Sequence, residues 1–466
     1  MITGLIDFNE KNCVFKLDVD KFVLEIEEIE ERENQSFLSL EFIFNGKRNE
    51  TILSDNLLIG KDFENDELIH FVVRKIDQTG PKTYTANLSA VVKFNSKETF
   101  FDGLQIQADE LNWFHNIAQA YERIFWFDKG ETQVQINPFE KTTENFEFNY
   151  KSILIYGSLT ITTSLSRPST SPIKLNANLN YFFKKTDEIS FAKELIFLTY
   201  ELLKFITYRK NFKINAINIT KKDEDSERNI IIGQLYINNY MAVKVEEEEK
   251  VVRERIIDYL LIREGFPKLL EKISQKSVYL THIPESSEVN RTITPERFIM
   301  ATAGFEWQIR FSHKDKSDES EEKYRVPREE TLAFIDEKIE INTGREKKYF
   351  KALRKFVNKT DSSLSEKLLW AIQEFDDVLN VFIKHLYKLN NVEASEYSYR
   401  AIAERIQTQR NNIAHGNIDR ELNRLVILDF LVLEWLYYVL VLDDIGLSKE
   451  YIKKCIDKLF KRNLGL

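Results

Sequence analysis

An α+β protein, with a β-rich domain over residues 1–245 and an all-α bundle over residues 294–466, is what three features of the sequence predict. Apolar side chains recur at every second position through much of the first half. From Thr294 onward they recur at helical spacing almost without a break. Between the two, residues 246–293 carry mixed helical and extended signals and read as a connector. The 466 residues are enough for two or three domains, each with its own core.

In chain order, Val14, Leu17 and Val19, then Phe22, Leu24 and Ile26, then Leu38, Leu40, Phe42 and Phe44 predict half-buried strands, with Asn45-Gly46 as a hairpin turn. Further strands are expected at residues 88–94, 133–136 and 152–162, and the Ser/Pro-rich stretch 164–172 is a loop. Ile189, Leu195, Ile196, Leu202, Leu203 and Ile206 place a helix over about 187–207. A strand pair follows at 214–219 and 229–237, around a polar turn at 221–228. The run Glu246 to Lys250 is a solvated face that opens or precedes a helix, residues 254–273 are helical, and 276–284 extended.

Thr294-Pro295-Glu296 joins a capping hydroxyl, a proline at the first helical position and an early acid beside the positive end of the dipole, so a helix starts there. Helices are expected at 295–312, 327–341, 345–357, 364–390, 395–414, 420–443 and 448–462, with His313 to Lys323 as a solvated connection. The segment 421–442 is apolar nearly all round, which requires burial on several sides, in the bundle alone or in the bundle plus a subunit interface.

A composition of 43% apolar and 30% charged residues is that of an ordinary globular protein, and low counts of glycine (14) and proline (8) argue against a fibrous or loop-rich chain. The two cysteines, Cys13 and Cys455, offer no disulfide framework and predict a reducing, cytoplasmic setting. Asp429 and Glu434 interrupt the longest apolar run, which disfavours a membrane partner. A net charge of −9 means that any RNA must be bound at a local basic patch or a composite site.

The stretch richest in chemistry is Arg410-Asn411-Asn412-Ile413-Ala414-His415-Gly416. It joins a permanent cation to an imidazole, a group that takes and gives a proton near pH 7. Of the six histidines, only His415 follows an arginine by five positions, and Gly416 is a helix-ending residue that leaves the ring free to project. The alternative is purely structural: Arg410 pairing with the carbonyls of its own helix end, and His415 a partly buried cap. His385 sits on an apolar helix and reads as a core or edge residue; His70, His115, His282 and His313 lack metal-type spacing. Trp113-Phe114-His115 and Phe125-Trp126-Phe127 read as N-terminal core, with base stacking as the alternative, and Asp376-Asp377 and Asp443-Asp444 as solvated faces and caps in preference to a metal site. No phosphate-binding glycine loop or nucleophile elbow is present.

With that motif on a helical C-terminal half, the chain resembles HEPN proteins, whose ribonuclease members carry an Arg-polar-x3-His motif, here Arg410, Asn411 and His415. The whole layout is similar to ApeA-type abortive-infection proteins, with a β-rich N-terminal domain before the HEPN domain; the segments from Phe191 and from Pro295 support the match. The resemblance implies metal-independent endoribonuclease activity without a cofactor, in anti-phage defence. It further implies catalysis by Arg410, Asn411 and His415 at a homodimer interface, RNA (tRNA among the candidates) as substrate, and a phage-derived trigger sensed by the N-terminal domain. Asn412 has no assigned family role and reads as a cap or turn residue. Two other expectations stay open: a non-catalytic HEPN interaction module, or the toxin half of a toxin–antitoxin pair.

Overall fold

The computed structural model describes residues 1–29, 56–65, 67–95, 98–126, 130–165, 173–225, 228–238, 248–357, 363–416 and 422–465. The expected strand through Leu38 to Phe44, its Asn45-Gly46 turn and most of the 164–172 loop lie outside these residues. The chain divides into two compact units, an α+β arrangement: residues 1–203 with 211–253, and residues 204–210 with 254–466.

In the first unit, six antiparallel strands close on themselves: β1 (Ile2–Phe8), β2 (Lys11–Asp18), β3 (Val23–Glu28), β4 (Leu57–Asp62), β5 (Leu68–Gln78) and β6 (Thr83–Phe94), paired in the ring β1-β2-β3-β6-β5-β4. Closure leaves no free edge in the barrel. The inward residues of β2 are Cys13, Phe15 and Leu17, all fully buried; of the three that the spacing suggested, Leu17 is among them, Val19 packs half-buried against the same core just past the strand, and Val14 is the exception. Phe22, Leu24 and Ile26 do face the core. The ring is completed by three residue pairs between β1 and β4, Gly4 with Asp62, Leu5 with Lys61 and Ile6 with Gly60. Two glycines make this approach feasible. A Cβ on Gly4 would lie 2.0 Å from the Lys61 carbonyl oxygen, and one on Gly60 would lie 2.7 Å from the Phe15 ring. Gly4→Val should therefore open the seam and lower the stability of this unit by about 1–3 kcal/mol, measured by denaturant unfolding.

The second half of β6 continues into an open sheet through β14 (Asn229–Ile237), β13 (Ile214–Lys222), β7 (Phe101–Ala108), β12 (Ile173–Thr186), β11 (Ile153–Leu165) and β10 (Glu144–Tyr150). A separate hairpin pairs β8 (Tyr121–Trp126) with β9 (Glu131–Ile136). The short helix α1 (Asp109–Phe114) and the long α2 (Ile189–Thr207) complete the unit, and in it Thr199 on α2 hydrogen-bonds the buried Tyr181 hydroxyl at 3.0 Å.

The second unit is helical. Residues 276–284, read as extended, form turns without a strand. Its main helices are α3 (Phe266–Ser274), α4 (Pro295–Ser312), α5 (Lys314–Ile341), α6 (Gly344–Val357), α7 (Leu364–Glu374), α8 (Asp376–Leu389), α9 (Tyr399–Ala414), α10 (Arg424–Asp444) and α11 (Lys449–Leu459). Thr294 caps α4 as its sequence dictates, accepting from the Arg297 N–H at 3.3 Å. The single helix expected over 364–390 is broken at Phe375. That ring is buried while Asp376 and Asp377 enter the first turn of a new helix, where acids complement the dipole. The expected connection from His313 to Lys323 is instead the start of α5, since lysine and glutamate are good helix formers even with Pro327 inside the helix.

α10 is the centre of this unit. It is long and apolar enough to cross a membrane, and 83% of its most apolar window is buried inside the protein itself. Its two acids, Asp429 and Glu434, are as buried as the leucines around them. Unpaired charges there would cost several kcal/mol each, and each is met by an arginine and a tyrosine hydroxyl. Arg405 grips Asp429 with two bonds of 2.7 Å while Tyr387 donates to the same carboxylate. Arg297 and Tyr208 both donate to Glu434.

Candidate functional site

The motif sits at the C-terminal tip of α9. Ser398 starts this helix by accepting from the Ala401 N–H at 3.3 Å, and Ile402, Ala403 and Ile406 bury one face of it. The helix ends at His415, whose backbone N–H still bonds the Asn411 carbonyl at 3.0 Å. Gly416 follows at φ +80°, the left-handed conformation that glycine adopts without strain.

Two arginines five residues apart on this helix have opposite situations. Arg405 is locked as a fork onto a carboxylate with no exposure. Arg410 is half-exposed; its guanidinium donates to the Asn411 side-chain oxygen at 3.2 Å and meets Glu306 of α4 at 3.8 Å. A single long contact in solvent contributes about 0–1 kcal/mol. The guanidinium fork matches the paired oxygens of a phosphate better than this one long contact. Asn411 acts on the arginine through its amide, and Asn412 lies within the helix, half-buried, not at its cap.

His415 is exposed. Among the other histidines, His70, His115 and His282 are buried; His115 is engaged by the Thr142 carbonyl at 2.7 Å, and His313 lies 3.6 Å from Asp443 against Trp370 and Phe375. His385 is exposed on α8, not packed in a core. The structure thus joins Arg410 to Asn411 by a hydrogen bond in the last turn of α9, and places His415 at the helix end with its ring exposed and with no contact to either among the described residues.

The acid pairs are all engaged. Asp376 accepts from Tyr399, Asp377 meets Lys449 at 2.8 Å, Asp443 meets His313, and Asp444 meets Lys272 at 2.6 Å. Among the described residues, no group of three or more His, Cys, Asp or Glu side chains is arranged to hold a metal ion. Phe114 is buried and Trp113 is half-buried beneath the Arg253 guanidinium at 5.8 Å, whereas the side chains of Phe125 and Trp126 and the whole of Phe127 lie outside the described residues.

Sequence reasoning missed a second polar cluster around Glu434. Arg297 lies 5.0 Å over the Phe430 ring and also donates to the Asn290 carbonyl at 2.7 Å. His282 is enclosed by Tyr437 at 4.3 Å, Tyr279 at 5.8 Å and Tyr208 at 6.2 Å between ring centroids. A signal was present: two acids inside an otherwise apolar helix demand buried partners. Burial, with Arg297 nearby, pushes His282 down to about 3. The folded pKa lies below the ordinary 6.5, so an unfolded chain takes up a proton that the fold refuses, and stability falls as pH drops from 6.5 toward 3. Between pH 7 and 4.5 the wild type should lose about 2–3 kcal/mol more than His282→Phe, read from denaturant midpoints of the helical unit. Its centre, formed by Glu434, His282, Tyr208 and Tyr437, is buried.

Comparison of the chain with protein-family models, with curated proteins and with solved structures found no match.

Proposed function

We propose that the chain is a metal-independent endoribonuclease of the HEPN type acting in anti-phage defence. The observation that carries this reading is the end of α9, where Asn411 holds the Arg410 guanidinium, Glu306 is its one other partner among the described residues and lies at a long 3.8 Å, and the exposed His415 follows at the helix end.

RNA carries its own nucleophile, the 2′-hydroxyl beside each phosphate. The His415 imidazole takes that proton as the 2′-oxygen bonds to phosphorus, or gives a proton to the 5′-oxygen as its bond to phosphorus breaks. One histidine serves one role, so the other falls to the same residue of a second copy. Arg410 stabilises the charge gathering on the non-bridging oxygens. The products are a 2′,3′-cyclic phosphate and a 5′-hydroxyl. A two-fold pairing of motif tips is supported by the exposed rings of Trp307 and Phe311, 4.7 Å apart on α4, the helix that also carries Glu306. In this reading the β-rich unit senses a phage-derived trigger and restrains cleavage.

The direct test incubates purified protein with total RNA in EDTA and maps the ends. Uncut RNA, or ends bearing a 5′-phosphate, would count against the reading. Arg410→Ala should lower kcat/KM on a fluorogenic RNA by about 10²–10³-fold. Arg410→Lys should recover only part, because an ammonium lacks the fork that spans two oxygens.

A further inference from the structure

An RNA-cleaving chain with a net charge of −9 must hold its polyanion at a local patch, and α6 is built as one. Its fourteen residues carry Arg345, Lys347, Lys348, Lys351, Arg354 and Lys355 against the single acid Glu346. Arg354 is engaged by Asp336 of α5, at 2.5 and 3.2 Å, which ties the two helices into a hairpin. Arg345, Lys348, Lys351 and Lys355 are exposed and have no ion pair among the described residues. Their spacing of three, three and four residues puts them on one face of the helix, a stripe about 15 Å long.

Phe350, Leu353 and Val357 are half-buried on the other side. Tyr349 is 64% exposed instead, and it lines an open groove of about 480 Å³ with Asn342, Arg345, Glu346 and Phe350. The Tyr349 ring, 6.0 Å from that of Phe350, stands beside a row of cations, the arrangement that holds single-stranded nucleic acid through phosphate contacts and base stacking. Among the described residues of α6, Tyr349 is the one exposed large apolar side chain, short of the broad apolar face that a membrane surface requires. α6 packs on α5, α5 on α4, and α4 carries Glu306, the partner of Arg410.

We propose that α6 is an RNA-holding arm: a single strand lies along the Arg345–Lys348–Lys351–Lys355 stripe with one base stacked on Tyr349. The choice of RNA as the polyanion rests on the reading of the α9 tip, but the arm itself is testable without cleavage.

The test measures binding of a fluorescent single-stranded RNA oligonucleotide in EDTA across a salt series, with every protein also carrying His415→Ala so that the probe stays intact. The triple variant Lys348→Gln, Lys351→Gln, Lys355→Gln should bind more than tenfold more weakly at 0.1 M salt. Its slope of log affinity against log salt should be shallower by about 2, from roughly 0.7 per lost contact. Tyr349→Ala should lose at least fivefold at every salt concentration, and Tyr349→Phe should bind as before. Far-UV circular dichroism checks that the arm stays helical. Unchanged affinity and slope in the folded triple variant overturn the proposal, as does loss of binding to phosphatidylserine vesicles with RNA binding intact. If the chain without His415→Ala cuts no RNA while binding still depends on the arm, the nuclease reading fails and the arm stands. If it cuts normally with the arm neutralised and binding unchanged, the reverse holds.

Discussion

His415→Ala should yield a folded protein that cleaves RNA on the order of 10³-fold more slowly than the wild type, the usual contribution of a positioned acid or base. The residue closes α9 through its backbone N–H, a bond that alanine keeps, and its ring is exposed. Stability should therefore change by no more than about 0.5 kcal/mol, which separates loss of chemistry from loss of fold. His385→Ala, at the other exposed histidine, is the matched control and should cleave normally. Single-turnover rates on one labelled RNA check all three proteins. Full activity in the His415 variant sinks the catalytic assignment.

Arg297→Ala should destabilise the helical unit by about 3–5 kcal/mol, because it strands Glu434, 1% exposed, with the Tyr208 hydroxyl as its remaining hydrogen-bond donor. In a thermal scan this corresponds to a midpoint lower by about 10 °C for a unit of roughly 200 residues. The loss is that of an abandoned charge and not of a valuable attraction. Arg297→Met combined with Glu434→Leu should accordingly restore most of it, since apolar residues of similar volume often replace a buried pair at no cost. A double variant as weak as the single one would show that the arginine serves through its stacking on Phe430 and its bonds to Asn290.

How far the sequence could be read follows from the range of the interactions involved. α4 begins and ends where expected, at Pro295 and Ser312, because its cap is encoded within four residues. The inward face of Phe22, Leu24 and Ile26 was legible for the same reason, the alternation being local. β2 misled because Val14 is apolar but not inward while its neighbours Cys13 and Phe15 are, so only pairing with β1 and β3 fixes its register. β5 was missed altogether; several consecutive residues in it are buried, which removes the period of two. The barrel seam depends on Gly4 meeting a strand more than fifty residues away, which no window sees. The α9 tip was legible because motif, helix and terminating glycine are contiguous. Glu306 was not, since it reaches Arg410 across about a hundred residues of chain.

Residues 204–210 belong with the helical unit although the chain on either side of them belongs to the barrel unit. Tyr208 and Phe205 find their partners, Glu434 and Tyr438, 226 and 233 positions later. At ribosomal speeds of 5–20 residues per second, that separation is roughly 10–45 s of synthesis. Throughout that interval the last turn of α2 has emerged while the groups that complete its bonding have yet to be translated. For the same reason a gene cut at the apparent boundary near residue 254 would sever the C-terminal half from part of its own interior, so recombination can exchange that half intact only by carrying this seven-residue fragment with it.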